Sequence, residues 1–193
     1  MFIDFTFLTF LIIYGIIVLI MGLIMIRRRK GLKKTLLNFL VAFYALLLIK
    51  ATLFPLEIDT FGDFEGYNIR NVFQIIPFST IKNMLNSPVG LTQILGNILL
   101  LFPVPFIGRF IYCEEKIKIR KTIFFGIIIS FAIETLQMSE DVATKCINRV
   151  FDIDDIILNI SGVVLGIGVV ILVDTIRKKI VDSQGFSKIG NSF

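Results

Sequence analysis

Histidine is absent from the sequence, and cysteine occurs only twice in 193 residues. The first absence excludes imidazole general bases and His-ligated metals, and the scarcity of cysteine excludes a Cys-rich zinc site. A disulfide between Cys113 and Cys146 is excluded as well, because the predicted topology places these residues on opposite faces of a membrane. Carboxylates, amides, lysine and arginine are left to carry any chemistry.

Long hydrophobic runs dominate the chain instead. Hydrophobic residues make up 55% of the sequence, 20 residues are Phe, and the mean hydropathy is +0.86. Apolar runs of about 20 residues are typical of a polytopic membrane protein rather than a soluble domain. We therefore predict an all-α transmembrane helical bundle with about five spans. The predicted spans are residues 5–26, 35–56, 91–112, 122–138 and 153–176.

A single membrane domain is expected, because most connections between the runs are too short to fold independently. Residues 1–34 hold the first span and a basic connection. Residues 35–176 form the main bundle, and residues 177–193 form a basic tail.

The loop at residues 57–90 is the one connection long enough to hold an extra element. Ser79 or Thr80 is predicted to cap a short helix there, and the helix is expected to end before Pro88. Apolar neighbours such as Phe78 favour a position at the membrane interface. This helix would cover the mouth of the bundle.

Basic residues are distributed unevenly among the connections. Fifteen Lys and Arg residues flank one side of the predicted membrane and four lie on the other, with Lys50 inside a span. Since positive residues are retained in the cytoplasm, this asymmetry places the N-terminus outside and the C-terminus inside. Topology and contacts with anionic lipids thus account for the net charge of +5, and nucleic acid is not expected as a partner.

Polar side chains occur within four of the spans, at one depth. Charged and amide groups inside hydrocarbon cost about 2.5 to 3.5 kcal/mol each on insertion scales, so a chain that carries several is expected to use them. In the predicted topology they all fall in the outer half of the membrane and form a candidate ligand-binding cluster. Its members are Lys50, Asn97, Glu134, Gln137, Arg149, Asp152, Asp155 and Asn159.

Helical spacing predicts how these side chains face. Gln93 and Asn97 are four residues apart, and Glu134 and Gln137 are three apart, so each pair shares a helix face. Such faces are expected to meet other helices or a wet cavity, because lipid would leave them unpaired. Asp154 points about 100° away from the stripe on its own span and is predicted to cap that helix.

The same residues also have a purely structural interpretation. Gly162 and Gly166 form a small-xxx-small pair that predicts close helix packing. Lys50 or Arg149 could neutralise an acid, and Asn97 could link the third and fifth spans. We favour a functional role for the whole set, because three or more acids clustered on one side exceed what helix packing needs.

An ordered series of motifs extends over residues 40–172. The run Glu134-Thr-Leu-Gln137, followed by Arg149, Asp152, Asp155, Asn159 and Gly162, resembles the E-x-x-Q…R-x-x-D-x-x-D-x-x-x-N-x-x-G signature of the VanZ-like family. Similar upstream blocks are Thr52-Leu-Phe54-Pro55, Asn71, Pro77-Phe78, and the segment from Gly96-Asn97 to Phe102-Pro103. Pro103 is assigned a structural role within the last block.

The resemblance implies a multi-pass protein of the bacterial cytoplasmic membrane. It also implies a relationship to an accessory protein of glycopeptide resistance. That protein is associated with reduced susceptibility to teicoplanin-type lipoglycopeptides. The expected partners are membrane lipids, lipid-linked cell-envelope precursors and the antibiotic itself. No cofactor is predicted.

Three functions are consistent with these patterns. In the first, the outer polar cluster binds an envelope lipid or a lipid-linked precursor and so alters access of the antibiotic. In the second, the protein is a membrane enzyme acting on such a lipid: Glu134, Asp152 and Asp155 could hold Mg²⁺ or Ca²⁺, or one carboxylate could act as acid or base. The third, a small-solute transporter, ranks last because a pathway needs polar groups at more than one depth.

Overall fold

A computed structural model describes residues 2–3, 6–28, 32–57, 73–112, 117–144 and 150–190. Cys113, Cys146 and Arg149 lie outside these ranges, so the predictions made for them stay predictions. Within the described part of the chain, five segments are long and apolar enough to cross a membrane, which confirms the predicted helical bundle. They are Phe7–Ile24, Thr35–Leu53, Gly90–Arg109, Ile119–Thr144 and Ile153–Val181.

Seven helices and four two-residue strands make up the described structure. The helices are α1 (Phe7–Arg28), α2 (Leu32–Leu53), α3 (Ser79–Leu85), α4 (Gly90–Leu101), α5 (Val104–Tyr112), α6 (Ile119–Thr144) and α7 (Ile153–Gly190). The strands are β1 (Phe2–Ile3), β2 (Leu56–Glu57), β3 (Phe73–Gln74) and β4 (Phe151–Asp152). β1 pairs with β2 antiparallel, and β3 pairs with β4 parallel, which ties the loop before α3 to the segment before α7.

Helix α7 is the centre of the bundle and packs against α4, α5 and α6. Two glycines allow its closest approaches, since a Cβ added to Gly162 would lie 1.9 Å from the Ile98 carbonyl oxygen, and one added to Gly166 would lie 2.4 Å from that of Phe102. Lipid tails are as apolar as the core, so helices in a membrane associate mainly through such close packing. Val163, which faces Gly126 of α6, joins the central apolar core.

The third predicted span is not one continuous helix. α4 ends at Leu101 and α5 begins at Val104, with a turn at Phe102-Pro103 between them. Proline lacks an N–H and collides with the carbonyl four residues earlier, so Pro103 and Pro105 together break the helix. The free Phe102 carbonyl oxygen then meets Gly166 of α7.

The last two helices run beyond their predicted ends. α6 was expected to stop near residue 138 but continues to Thr144, and α7 continues past residue 176 to Gly190. The apolar run defined the predicted end of α6, whereas the helix itself extends through a polar turn. Asp141 in that turn is buried.

Helix α1 packs on α2 through an aromatic contact. The rings of Phe10, Tyr14 and Phe43 lie within 5.1–6.3 Å of one another, and the Tyr14 hydroxyl donates to the Phe39 carbonyl at 3.3 Å. A second tyrosine, Tyr44, donates from the other face of α2 to the Leu100 carbonyl at 2.6 Å. Helix α2 therefore connects α1 to the rest of the bundle.

Candidate functional site

The polar side chains of four helices meet at one end of the bundle, the end that carries α3. Contributions come from the C-terminal end of α2, the second half of α4, the middle and second half of α6, and β4 together with the start of α7. We call this set the polar layer. Its described members are Lys50, Thr52, Asn97, Ser130, Glu134, Gln137, Asp152, Asp155 and Asn159.

Three carboxylates form the centre of the polar layer. Glu134 accepts the backbone N–H of Asp152 through Oε2 at 3.2 Å, and Asp152 caps α7 by accepting the N–H of Asp154 through Oδ1 at 2.8 Å. The third, Asp155, accepts a hydrogen bond from the Asn97 side-chain amide. The three carboxyl groups lie close together, since Glu134 is within electrostatic range of both Asp152 and Asp155. Glu134 and Asp152 are 1% and 3% exposed, so water screens the interactions between these groups little.

Asn159 lies one turn further along α7. Its Nδ2 donates to the Ser130 hydroxyl of α6 at 3.1 Å, and both residues are buried. Its Oδ1 is also buried but accepts no hydrogen bond from the described residues. A buried amide oxygen without a donor costs about 1 to 3 kcal/mol, so a donor from a ligand would stabilise it.

The link to α2 is made by Gln137, whose Nε2 donates to the Thr52 carbonyl at 3.0 Å. Thr52 lies two residues after Lys50, so this contact brings the lysine to the level of the polar layer. Lys50 is half-buried and makes no ion pair with a described residue. It therefore does not neutralise Glu134 or Asp155, which was one structural alternative.

None of the three central carboxylates has a cationic partner among the described residues. The described ion pair joins Arg109 and Asp174 at 2.7 Å, on α5 and α7. In the same part of the chain, no three carboxylate or cysteine side chains are arranged to hold a metal ion. The Mg²⁺ or Ca²⁺ site considered for Glu134, Asp152 and Asp155 thus gains no support from this geometry.

Below the polar layer the bundle is apolar. Leu101, Ile133, Val163 and Ile167 form one buried cluster between α4, α6 and α7. Along α7, Val163 follows Asn159 by one turn. The polar layer therefore has an apolar floor, while Asn97, Gln137 and Asp155 at its edge are half-buried.

Gln93, which was predicted to share a helix face with Asn97, does not join the polar layer. Gln93 was expected to face the bundle together with Asn97, but it is exposed. That expectation is wrong, because α4 contacts α7 at the level of Asn97, whereas the preceding turn of α4, which carries Gln93, is exposed. The i, i+4 spacing predicts that two residues share a helix face. It does not show at which turn of the helix the contact with a neighbouring helix begins.

The loop helix α3 is held at the same end by Asp154. Its carboxylate accepts three backbone N–H groups, from Phe78 at 2.5 Å, Thr80 at 2.8 Å and Ile81 at 3.1 Å. The predicted short helix is therefore present, but the capping assignments differ from the prediction. Ser79 and Thr80 make no side-chain cap, and Asp154 caps α3 rather than its own helix. Phe78, at the N-cap, has φ 65°.

We expect Asp154→Ala to release α3. The substitution removes a charged acceptor from three N–H groups, each such bond being worth about 1.5 to 3 kcal/mol. Amide hydrogen exchange at Phe78, Thr80 and Ile81 should then accelerate by about tenfold or more. Ser79→Ala is the matched control and should leave exchange unchanged. Equal exchange in Asp154→Ala and wild type would contradict this role.

Comparison with known proteins identifies the family. The family model described as VanZ/LLP1 matches residues 39–174, well over half of the chain. The chain belongs to the VanZ/LLP1 family. The predicted VanZ-like membership is thereby confirmed, and the protein is a multi-pass membrane protein of this family. No curated protein and no solved structure matches the chain.

The VanZ/LLP1 match contains the whole polar layer and the Asp154 contact to α3. It begins within α2, so α1 lies outside the matched region, whereas Phe43, its aromatic partner on α2, lies inside it. The match ends at Asp174, the residue that pairs with Arg109. The helices that build the site and the family region therefore coincide.

Three residues at this end of the VanZ/LLP1 bundle were not predicted in their observed roles. Thr52 contributes a backbone carbonyl, which no side-chain pattern signals. Asp141 is buried beyond the predicted end of α6. The available signal was its position seven residues after Glu134, which places the two acids on one face of the helix. The Asp154 contact spans 76 residues in sequence and has no local signature.

Proposed function

We propose that the polar layer binds the headgroup of a cell-envelope lipid or a lipid-linked envelope precursor in the outer leaflet of a bacterial cytoplasmic membrane. In this proposal the α3 end faces outside, in agreement with the distribution of basic residues. Occupancy of the site alters how a teicoplanin-type lipoglycopeptide reaches its membrane-anchored target. The family membership supports a role in antibiotic susceptibility, because the resemblance to the VanZ-like family implies reduced susceptibility to teicoplanin-type lipoglycopeptides.

The observation that carries the proposal is the absence of a cationic partner, among the described residues, for the three carboxyl groups of the polar layer. Glu134, Asp152 and Asp155 have no cation among the described residues, although two of them are almost fully buried. Burying a carboxylate without a partner is costly, so such a site favours a ligand that supplies hydrogen-bond donors or positive charge. Ammonium groups and sugar hydroxyls of envelope lipids supply both.

The position of the layer favours a lipid over a free solute. Large apolar side chains such as Leu91, Leu95 and Leu99 are exposed along α4, next to the half-buried Asn97. These side chains face hydrocarbon in a membrane, so a ligand that enters at the edge of the layer can keep its own chain in the bilayer. Arg149 and Lys50 would then meet a phosphate or carboxylate of the same ligand.

The apolar floor argues against transport. A solute crossing from the polar layer to the opposite end of the bundle would have to pass the cluster of Leu101, Ile133, Val163 and Ile167. Transport pathways need polar or hydrated lining along their length. A binding site that is closed on its inner side accounts better for this arrangement.

The first test is antibiotic susceptibility in cells. A strain that lacks the gene should become more susceptible to teicoplanin, wild-type protein should restore resistance, and Glu134→Gln should not. The substitution removes the charge but leaves an oxygen that can still accept the Asp152 N–H. Ser139→Ala on the same helix, where Ser139 is exposed, is the control and should restore resistance. Full resistance with Glu134→Gln would overturn the proposal.

A membrane enzyme is the second candidate, favoured by the clustering of three carboxylates at hydrogen-bonding sites on α6 and α7. One carboxylate would act as acid or base on a bound headgroup. Lipid composition separates the candidates: for an enzyme, the deletion strain and the Glu134→Gln strain share a missing or extra headgroup species. Identical lipid profiles with altered susceptibility support binding alone.

A further inference from the structure

A cavity lies at the end of the bundle opposite the polar layer, between α5 and α6. Its volume is about 330 Å³, and it is separate from every member of the polar layer. Along α6, thirteen residues separate Lys121 at this cavity from Glu134, which corresponds to roughly 20 Å of helix. The cavity lining is Val104, Ile107, Gly108, Arg109, Ile117, Lys118, Lys121, Thr122, Phe125 and Ile129.

The cavity has an apolar inner wall and a basic outer part. Val104, Ile117 and Ile129 line it and also pack against the buried core, so this wall is formed by the fixed interior of the bundle. Arg109, Lys118 and Lys121 line the outer part, and the described lining residues include no acid, although Arg109 pairs with Asp174 beside the cavity. One concave surface thus combines hydrocarbon contacts with cations.

Arg109 is oriented for a second partner. Its Nη2 donates to Asp174 at 2.7 Å, which holds the guanidinium in place at the end of α5. A guanidinium has five N–H donors, and this bond uses one of them. The remaining donors can bind a phosphate, a geometry for which arginine is well suited.

We propose that this cavity binds an anionic phospholipid, with the phosphate at Arg109 and Lys121 and an acyl chain against Ile107, Phe125 and Ile129. Charge complementarity identifies the occupant: a zwitterionic lipid gains less from Lys121 and the remaining donors of Arg109, and a soluble anion gains nothing from the apolar wall. Both helices that form the cavity belong to membrane-spanning segments, so lipid is the molecule present at this depth. Cavities of roughly 300 to 1,000 Å³ are typical of specific ligand sites.

The absence of tryptophan gives the test a clean background. Phe125→Trp places a single fluorophore in the cavity wall, and Ile129→Trp is a second reporter on the same wall. Leu165→Trp on the exposed face of α7 is the matched control for general lipid contact. Each variant is reconstituted with brominated phosphatidylglycerol or brominated phosphatidylcholine, and quenching is compared at equal bromolipid fractions.

We expect both cavity reporters to be quenched more strongly by the anionic lipid and the Leu165→Trp reporter to be quenched equally by the two lipids. Adding Lys121→Gln to Phe125→Trp should lower the preference by about fivefold, whereas Lys121→Arg should preserve it. Lys179→Gln, a charge removed outside the cavity, should change nothing. Equal quenching by both lipids at the cavity reporters, or a preference that Lys121→Gln leaves intact, overturns the proposal.

Discussion

Replacing Gly162 with alanine is expected to abolish correct packing of the bundle. The added Cβ would lie 1.9 Å from the Ile98 carbonyl oxygen and 2.9 Å from its carbonyl carbon, and both are backbone atoms that no rotamer change can move. α7 would have to separate from α4, which shifts Asn159 and Asp155 away from their partners on α6 and α4. Overpacking of this kind costs about 3 kcal/mol or more.

Gly168 provides the matched control on the same helix. Alanine there meets nothing within 4 Å, so Gly168→Ala should change stability by less than about 1 kcal/mol. The measurement is thermal unfolding of both variants in the same detergent, followed by size-exclusion chromatography. If the two glycine variants unfold at the same temperature, the close approach of α7 to α4 is not as described.

Replacing Asn97 with aspartate is expected to have a similarly large effect through charge. The amide that donates to Asp155 would become a second carboxylate, so a hydrogen bond is replaced by repulsion within the membrane. Removing one partner from a buried charge typically costs about 3 to 5 kcal/mol. The variant should therefore lose stability and any function that depends on the polar layer.

Exchanging the two residues tests this contact further. In the double variant Asn97→Asp with Asp155→Asn, the amide on α7 can donate to the carboxylate on α4, so stability should largely return. Asn83→Asp is the control, because Asn83 is exposed on α3, outside the membrane-spanning segments, and should tolerate the charge. A double variant less stable than Asn97→Asp alone would rule out direct coupling between these positions.

The convergence of polar residues was accessible from the sequence because topology and helical period determine it together. The topology places Asn97, Glu134 and Asp155 at one depth, and the 3.6-residue period gives each a helix face. The structure brings these residues together at the α3 end of the bundle. Patterns that repeat along a helix can be read locally, which is why this part of the site could be predicted.

Other features depend on contacts that a local pattern does not contain. Pro103 and Pro105 signalled the break between α4 and α5. The apolar run that contains both prolines nevertheless predicted a single span. The Asp154 carboxylate reaches Thr80, 74 residues away in sequence, and its partners are backbone N–H groups without a side-chain signature. The sequence predicted only a cap on the helix that carries this residue, and the three-dimensional arrangement shows that it caps α3 instead.

Direct binding of envelope lipid by the polar layer is the most immediate test of the proposed function. Purified wild-type protein, Glu134→Gln and Ser139→Ala are incubated with a lipid extract from the host membrane and examined by native mass spectrometry. We predict a one-to-one lipid adduct in wild type and in Ser139→Ala, with affinity reduced by about tenfold or more in Glu134→Gln. The same adduct at the same affinity in Glu134→Gln and wild type would contradict the assignment of the polar layer as the binding site.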